Sequence, residues 1–454
     1  MQHPEISGFR NINSMEQTGF IVGIDLGTSK IVGVLGRKNE QGVITILASE
    51  IIPADSCMKY GVIYNIDEAA GKVKKLISLL ENKVGKKIGK VYVSINGRSL
   101  RAIEHVETKV LDQEEPITFF MLDKMEQQAK LNKPDFFTNY SVLSPEYYLN
   151  GKYEEDPIDK LASSIEGHYR LIAGRPNIKN NISKVISEKA QLDVAGYIVG
   201  QFANGVLVLD EADRKAGCAL VDFGAGTTTL SIYKDGLLRY MSVIPFGGRT
   251  ITKDIQALGF VFEAAESYKI KYGRLGKKKD TPNTGRVNHS DIDVKEMNKV
   301  IQLRADEIIL NLINQIKESG YENKLEAGIV TIGGASQLDG LTEYLADKTK
   351  LPVKRGTVKR VYINNAAELI QNPIYTQSLG ILLFANENCE KKENPKPIIE
   401  EQPQQAVDTK IEKEEEIEEK PSKKSKKKDG KQKSLFDIFE KIQNFGGTMF
   451  KEEE

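Results

Sequence analysis

Two stretches of this chain, about 200 residues apart, follow one grammar. Ile21-Val22-Gly23-Ile24-Asp25-Leu26-Gly27-Thr28-Ser29-Lys30-Ile31-Val32-Gly33-Val34 runs apolar strand, aspartate, Gly-Thr turn, apolar strand. Cys218-Ala219-Leu220-Val221-Asp222-Phe223-Gly224-Ala225-Gly226-Thr227-Thr228-Thr229-Leu230 runs the same way, and Ser231-Ile232-Tyr233 carries its second strand to Lys234-Asp235-Gly236. Each reads as a hairpin bent over a glycine turn. Glycine frees the backbone to turn N–H groups inward, and threonine adds hydroxyl donors. Such a nest of amides suits an anion such as phosphate. Asp222, at a strand end, would face the phosphates, which makes sense only with a cation between them, most simply hydrated magnesium. One such turn alone is equally an ordinary hairpin. Two facing each other would hold a polyphosphate from both sides.

A third stretch, Ala327-Gly328-Ile329-Val330-Thr331-Ile332-Gly333-Gly334-Ala335-Ser336-Gln337-Leu338, is a strand running into a Gly-Gly turn. In this order, the three elements resemble the phosphate and adenosine elements of the actin-like ATPase superfamily, which includes actin, the large heat-shock chaperones and the sugar kinases. The resemblance implies ATP and magnesium (Mg2+) bound in a cleft between two halves of an α/β fold. Asp25 and Asp222 would orient hydrated magnesium. Gly27, Thr28, Ser29, Gly224, Gly226, Thr227 and Thr228 would cradle phosphates, with Lys30 reaching a phosphate oxygen. Gly333, Gly334 and Ala335 would pack on the adenosine. Gly247-Gly248 precedes a helix whose first N–H groups offer another anion site, which adds Gly248. In the helix from Phe262 to Tyr272, Glu266 and Lys269 would lie on the nucleoside side, Lys269 near the ribose; a solvated helix face is the alternative.

Basic and acidic residues balance at 64 each, so the chain as a whole has no nucleic-acid signature. Three cysteines, far apart, give no disulfide framework or zinc spacing and point to a reducing cytoplasm. The first 19 residues are polar and lack the apolar core of a secretory signal. Strands and helices alternate over residues 20–103, with a helix from Ile66 to Val84, and argue α/β. Strand-like Val106–Leu111, a helix from Leu122 to Leu131, then Ser141–Leu149 and Gly167–Gly174 follow. This order, and the segment VLSPEYYLNGKYEEDPIDKLASSIEGHYRLIAG, resembles the small α+β subdomain inserted in the bacterial cell-division FtsA family; a generic α+β insertion is the alternative.

Asn180 to Asp193 reads as a helix with Ile182, Val185, Ile186 and Ala190 on one face. Gln201 to Leu209 reads as the first helix connecting the halves. Members of the family often open it with an acidic residue and proline; Gly200-Gln201 stands here instead. Gln201 would position a water for attack on the γ-phosphate, or serve only as a polar residue at the helix start. No catalytic residue follows with assurance, and the expected ATPase activity is at most weak. Asp293 to Ser319 is a long helix with Val300, Leu303, Ile308, Leu310, Leu312 and Ile316 available for a core. Its QLRADEIIL segment resembles the helix with which the family contacts a tubulin-like partner, which makes Arg304 and Glu307 partner-binding candidates beside the plain reading of an exposed helix. Pro373 to Leu382 reads as the second connecting helix.

From Asn386 to Lys433, Pro, Glu, Lys and Gln leave too few large apolar side chains to offset ordering entropy. A short amphipathic helix follows from Ser434. Leu435, Ile438, Phe439, Ile442 and Phe445 share one face, with Phe436 at its flank. With lysines just before it, this is the composition of an interfacial anchor on an anionic lipid surface; docking in a protein groove is the alternative. The FtsA family ends in such a tethered helix.

These readings divide the chain into a disordered leader (1–19), a first lobe (20–103 and 182–215), an inserted subdomain (104–181) and a second lobe (216–365). The second lobe carries a nucleoside-side subdomain near 250–300. A return helix (366–385), a charged linker (386–433) and the amphipathic tail (434–454) complete the division. The resemblance implies an ATP-binding protein that polymerises with itself into actin-like filaments at the inner face of the cytoplasmic membrane. There it would bind the C-terminal tail of FtsZ and tether FtsZ filaments at the division septum, with other division proteins meeting the inserted subdomain. A pilus-assembly relative and a sugar-kinase-like phosphotransferase are the rival readings.

Overall fold

A computed structural model describes residues 19–276 and 293–391. The leader up to residue 18, the polar loop 277–289, the linker beyond Lys391 and the terminal helix with Leu435, Phe436, Ile438, Phe439, Ile442 and Phe445 lie outside the described residues.

Two five-stranded sheets share one topology. The first runs in the order Asp193–Val199, Lys90–Ile95, Ile21–Leu26, Lys30–Lys38, Ile44–Pro53. The second runs Val353–Arg355, Gly328–Ile332, Cys218–Phe223, Thr228–Lys234, Leu237–Ile244. In each, the strand that carries the aspartate one residue from its end is central, joined outward by two antiparallel pairings on one side and two parallel pairings on the other. Both central strands are almost wholly buried, as their unbroken apolar runs require.

The helices cover these sheets for legible reasons. Ile66–Val84 starts where the Asn65 side chain accepts the Glu68 N–H and stops at Gly85, whose φ of 69° few other residues adopt. It buries Val73, Leu76 and Leu80, the last two directly on Gly33, where a Cβ would come within 2.9 Å of Leu80. The helices Gly200–Val208 and Thr376–Leu383 cross between the lobes. Gly380 makes the crossing close, since a Cβ there would lie 3.1 Å from the Ala203 backbone.

Residues Arg101–Gly174 form a separate four-stranded antiparallel sheet with the helix Phe119–Leu131 on one face, and a small core around Ile117, Met125, Ile165, Tyr169 and Leu171. One ion pair ties this subdomain to the second lobe: the Arg239 guanidinium grips both Glu146 oxygens, one at 2.9 Å.

Several sequence expectations are corrected. The helix expected over 180–193 is an α-helix, Asn177–Ser183, running into a π-helical turn, Lys184–Lys189. It ends where Gln191 takes a φ of 57°, and Asp193 already belongs to a strand. On the long helix Val294–Glu318, Leu303 and Leu310 are 64% and 58% exposed. The buried stripe is Met297, Ile301, Ala305, Ile308, Leu312 and Ile316, set by i, i+4 and i+3 spacing from Met297. The return to the first lobe has two helices, Ala367–Gln371 and Thr376–Leu383, since Pro373 interrupts a single one. Structure also continues past Asn386. The Cys389 N–H donates to the Phe20 carbonyl at 2.7 Å, and the Cys389 side chain is fully buried.

Candidate functional site

The tips of the two hairpins meet. In both, the glycine two residues after the aspartate donates its N–H to the carbonyl three positions on: Gly27 to Lys30 at 3.0 Å, and Gly224 to Thr227 at 2.9 Å. This closes two equivalent turns, one from each sheet. A Cβ on Gly226 would come within 2.7 Å of the Thr28 side chain, so the turns touch and only glycine allows the approach. Thr28 is fixed in turn by the Gly61 N–H, which donates to its hydroxyl at 2.9 Å.

A cleft of about 930 Å³ opens between the lobes at this junction. It is lined by Asp25, Gly27, Thr28, Ser29, Lys30, Gln201, Asp222, Gly224 and Thr227. Gly248, Glu266, Lys269, Gly333, Gly334 and Ala335 line it from the second lobe. Two expected residues do not line it. Gly226 is taken up by Thr28. Thr228 is fully buried in the strand, its hydroxyl donating to the Phe246 carbonyl at 2.9 Å, because strand alternation turns it inward. Gly248 lines the cleft, but its helix offers fewer free donors than expected. The Gly248 and Arg249 N–H groups already donate to the Gly224 and Ala225 carbonyls at 2.9 and 2.8 Å. They brace the second turn.

The two aspartates differ in their surroundings. Asp25 accepts on Oδ1 from Ser94 Oγ at 2.9 Å, Asn96 Nδ2 at 3.2 Å and Gln377 Nε2. Burial raises its pKa, and these donors and Lys30 oppose the shift. Asp222 has one long contact, from Asn204 Nδ2 at 3.4 Å. Burial, reinforced by the charge of Asp25, pushes its carboxyl up to about 7, against the pull of Lys30. The Lys30 ammonium lies near Gly334 of the opposite lobe. Burial lowers its pKa while Asp25, Asp222 and Glu266 raise it. Gly333 must be glycine: at φ 85°, a Cβ would stand 2.1 Å from Asp222 Oδ1.

Further into the second lobe, Lys269 Nζ donates to the Gly248 carbonyl at 3.0 Å, Thr252 Oγ1 at 2.8 Å and Glu266 at 2.7 Å. Burial lowers its pKa against the opposing pull of Glu266. At the cleft wall, Arg249 of the second lobe pairs with Asp55 of the first at 2.7 Å. Arg304 and Glu307 stand outside the cleft lining and pair with each other. Arg304 also binds Asp254, with Nη2 at 3.1 Å from Oδ1.

Sequence reasoning missed Asn96, Asn204, Gln377, Asp55 and Arg249. Asn96 had a signal, since it directly follows a parallel strand, and the carboxyl ends of such strands are where α/β sheets place ligand-facing groups. Gln377 had none, being more than 350 residues from the Asp25 it binds.

Hydroxyl oxygens, one buried and one half-buried carboxylate on facing turns, and close-packed glycine backbones fit a polyanion accompanied by a hard cation. Among the described residues, no group of three or more His, Cys, Asp or Glu side chains stands ready to hold a metal alone. The two aspartates therefore fit a cation held through water and ligand oxygens.

A family model for the cell division protein FtsA matches residues 219–380. The FtsA of Porphyromonas gingivalis is 27% identical over 381 residues, covering 81% of this chain and 78% of that protein. The FtsA of Pseudomonas aeruginosa is 27% identical over 382 residues, covering 82% and 90%. Among solved structures, a chain of the PilM-PilN type IV pilus biogenesis complex aligns with a TM-score of 0.58 at 17% identity, covering 82% of this chain and 100% of that one. Over 81% and 82% of its length the chain is similar to these FtsA cell-division proteins, and its repeated aspartate turns and inserted α+β sheet stand on an actin-like α/β fold.

Proposed function

We propose that the cleft binds ATP with magnesium, and that the protein polymerises into actin-like filaments on the inner face of the cytoplasmic membrane. There it tethers FtsZ filaments at the septum. The observation that carries this reading is the meeting of the two aspartate turns, with Asp25 and Asp222 both lining one cleft. Gly27 and Gly224 close the two turns with their own N–H groups; Thr28, Ser29 and Thr227 on those turns present donors to the phosphates, and Lys30 supplies the nearby positive charge. Gly333, Gly334 and Ala335 form a flat floor for the nucleoside, with Lys269 held by Glu266 beside it. Magnesium, when bound through Asp25 and Asp222, neutralises phosphate charge.

No described helix is long and apolar enough to cross a membrane. Attachment in this reading rests on the amphipathic stretch 434–445. One such helix binds weakly, and a filament that presents many on one surface lengthens residence without new contacts. Nucleotide binding favours a lobe arrangement that polymerises. Arg304 and Glu307 mark the face offered to the FtsZ tail; an incoming carboxylate would compete with Asp254 for the guanidinium.

The test is co-sedimentation with anionic lipid vesicles, with and without ATP and magnesium, of the full chain and of one stopped at Lys433. The full chain alone should pellet, and more so with ATP. If neither chain pellets, the terminal stretch is not a lipid anchor. Phosphoryl transfer to a small hydroxyl substrate would instead favour the sugar-kinase reading.

A further inference from the structure

Four carboxamides surround the two cleft aspartates, and three of them are committed. Asn96 Nδ2 and Gln377 Nε2 donate to Asp25. Gln201, the residue the sequence offers for placing a water, spends its Nε2 on the Leu220 carbonyl at 3.4 Å, and its Oε1 accepts from Asn204 at 3.5 Å. Asn204 is different. Its Nδ2 faces two acceptors, Gln201 Oε1 and Asp222 Oδ2. That fixes which end of the amide is nitrogen, because the reverse would set its oxygen against a carboxylate. Asn204 Oδ1 is then left without a donor in a residue only 1% exposed that lines the cleft. Such an orphaned buried acceptor calls for a partner that arrives with a ligand.

We propose that Asn204 is a positioning residue whose Oδ1 accepts a hydrogen bond from a water in the hydration shell of the cation bound at Asp222. The inference rests on the nucleotide reading of this cleft. Asp222 would hold the cation through water, and the adjacent Asn204 would accept from one water of that shell. Gln201 thereby acts one step back, by orienting Asn204.

The experiment measures ATP affinity by calorimetry on the full chain, in magnesium and in EDTA. It compares the unaltered protein with Asn204→Leu, which keeps the volume but has no acceptor, and Asn204→Ser, which keeps an oxygen. The leucine variant should lose about tenfold of the affinity that magnesium adds, the worth of one hydrogen bond. Its affinity in EDTA should not change. The serine variant should lose less. Equal losses in magnesium and EDTA, or no loss at all, would overturn the proposal. Thermal unfolding without nucleotide checks that each variant folds, and if the leucine variant does not, the serine variant against Asn204→Ala carries the same comparison. Absence of ATP binding by the unaltered chain in both buffers would bring down the nucleotide reading itself, separately from the role of Asn204.

Discussion

The two lobes present the same strand, the same turn and an aspartate at the same place, yet they surround that aspartate with different numbers of hydrogen-bond donors. In the first lobe, Ser94, Asn96 and Gln377 converge on Asp25 Oδ1. In the second, Asp222 has Asn204 at 3.4 Å, and its carboxyl is held near 7 by burial and by Asp25. A buried charge is tolerated when hydrogen bonds or a counter-ion replace its lost water. Asp25 has the hydrogen bonds as part of the fold. Asp222 lacks them, and so is the aspartate that gains more from an arriving cation. Duplication supplied the geometry, and the surroundings divided the labour.

The largest test strikes the second turn. Gly333→Ala sets a Cβ 2.1 Å from Asp222 Oδ1 at a φ of 85°. Backbone strain and overpacking together should cost about 5 kcal/mol in denaturant unfolding. A loss below about 1 kcal/mol would mean the turn yields easily and that Asp222 is not rigidly placed.

The next test sets the aspartates against each other in nucleotide-free protein. Asp222 titrates at about 7 when folded, above its ordinary 3.8. The folded state therefore binds this proton more tightly, and stability falls as pH rises between those values. Asp222→Asn removes that cost and should stabilise the protein at pH 8 by up to about 4 kcal/mol, with the gain vanishing near pH 4. The same variant should lose the dependence of ATP affinity on magnesium. Asp25→Ala should gain less at pH 8 than Asp222→Asn, or lose stability, because three donors lose their acceptor and offset the relief of the buried charge. Equal gains from the two variants at pH 8 would erase the distinction drawn between the lobes.

Smaller effects sharpen it. Thr228→Val should cost about 1 kcal/mol of stability through the lost bond to the Phe246 carbonyl, and leave ATP affinity unchanged. A marked fall in affinity would return Thr228 to the binding set. Arg249→Ala breaks the cross-lobe pair with Asp55, whose side chain is 42% exposed. It should change stability by less than about 1 kcal/mol and quicken ATP release only a few-fold in stopped flow.

Much of the frame was legible before any coordinate. Asp25 and Asp222 with their glycines and the helix Ile66–Val84 follow from spacing and turn chemistry, which act within a few residues; the inserted α+β stretch was legible only through its resemblance to a known family. Other readings failed where the partner is remote. Thr228 looked like one more residue of the phosphate cradle, but strand alternation and the Phe246 carbonyl turn it away. The helix start at Gly248 looked like a free anion site, but its N–H groups are spent on the neighbouring turn. Leu303 and Leu310 looked like core residues, and the packing face of their helix lies elsewhere.

The sequence by itself determined that two aspartate turns exist, and that glycine allows each to close, because those are properties of consecutive residues. Only the tertiary structure decided that the turns meet, that Asp25 is surrounded by donors while Asp222 is not, and that Asn204 rather than Gln201 keeps a free oxygen. Hydrogen-bond partners drawn from strands and helices up to 352 positions apart are chosen by packing. The charge state of a buried carboxylate follows from those partners and not from its neighbours in the chain.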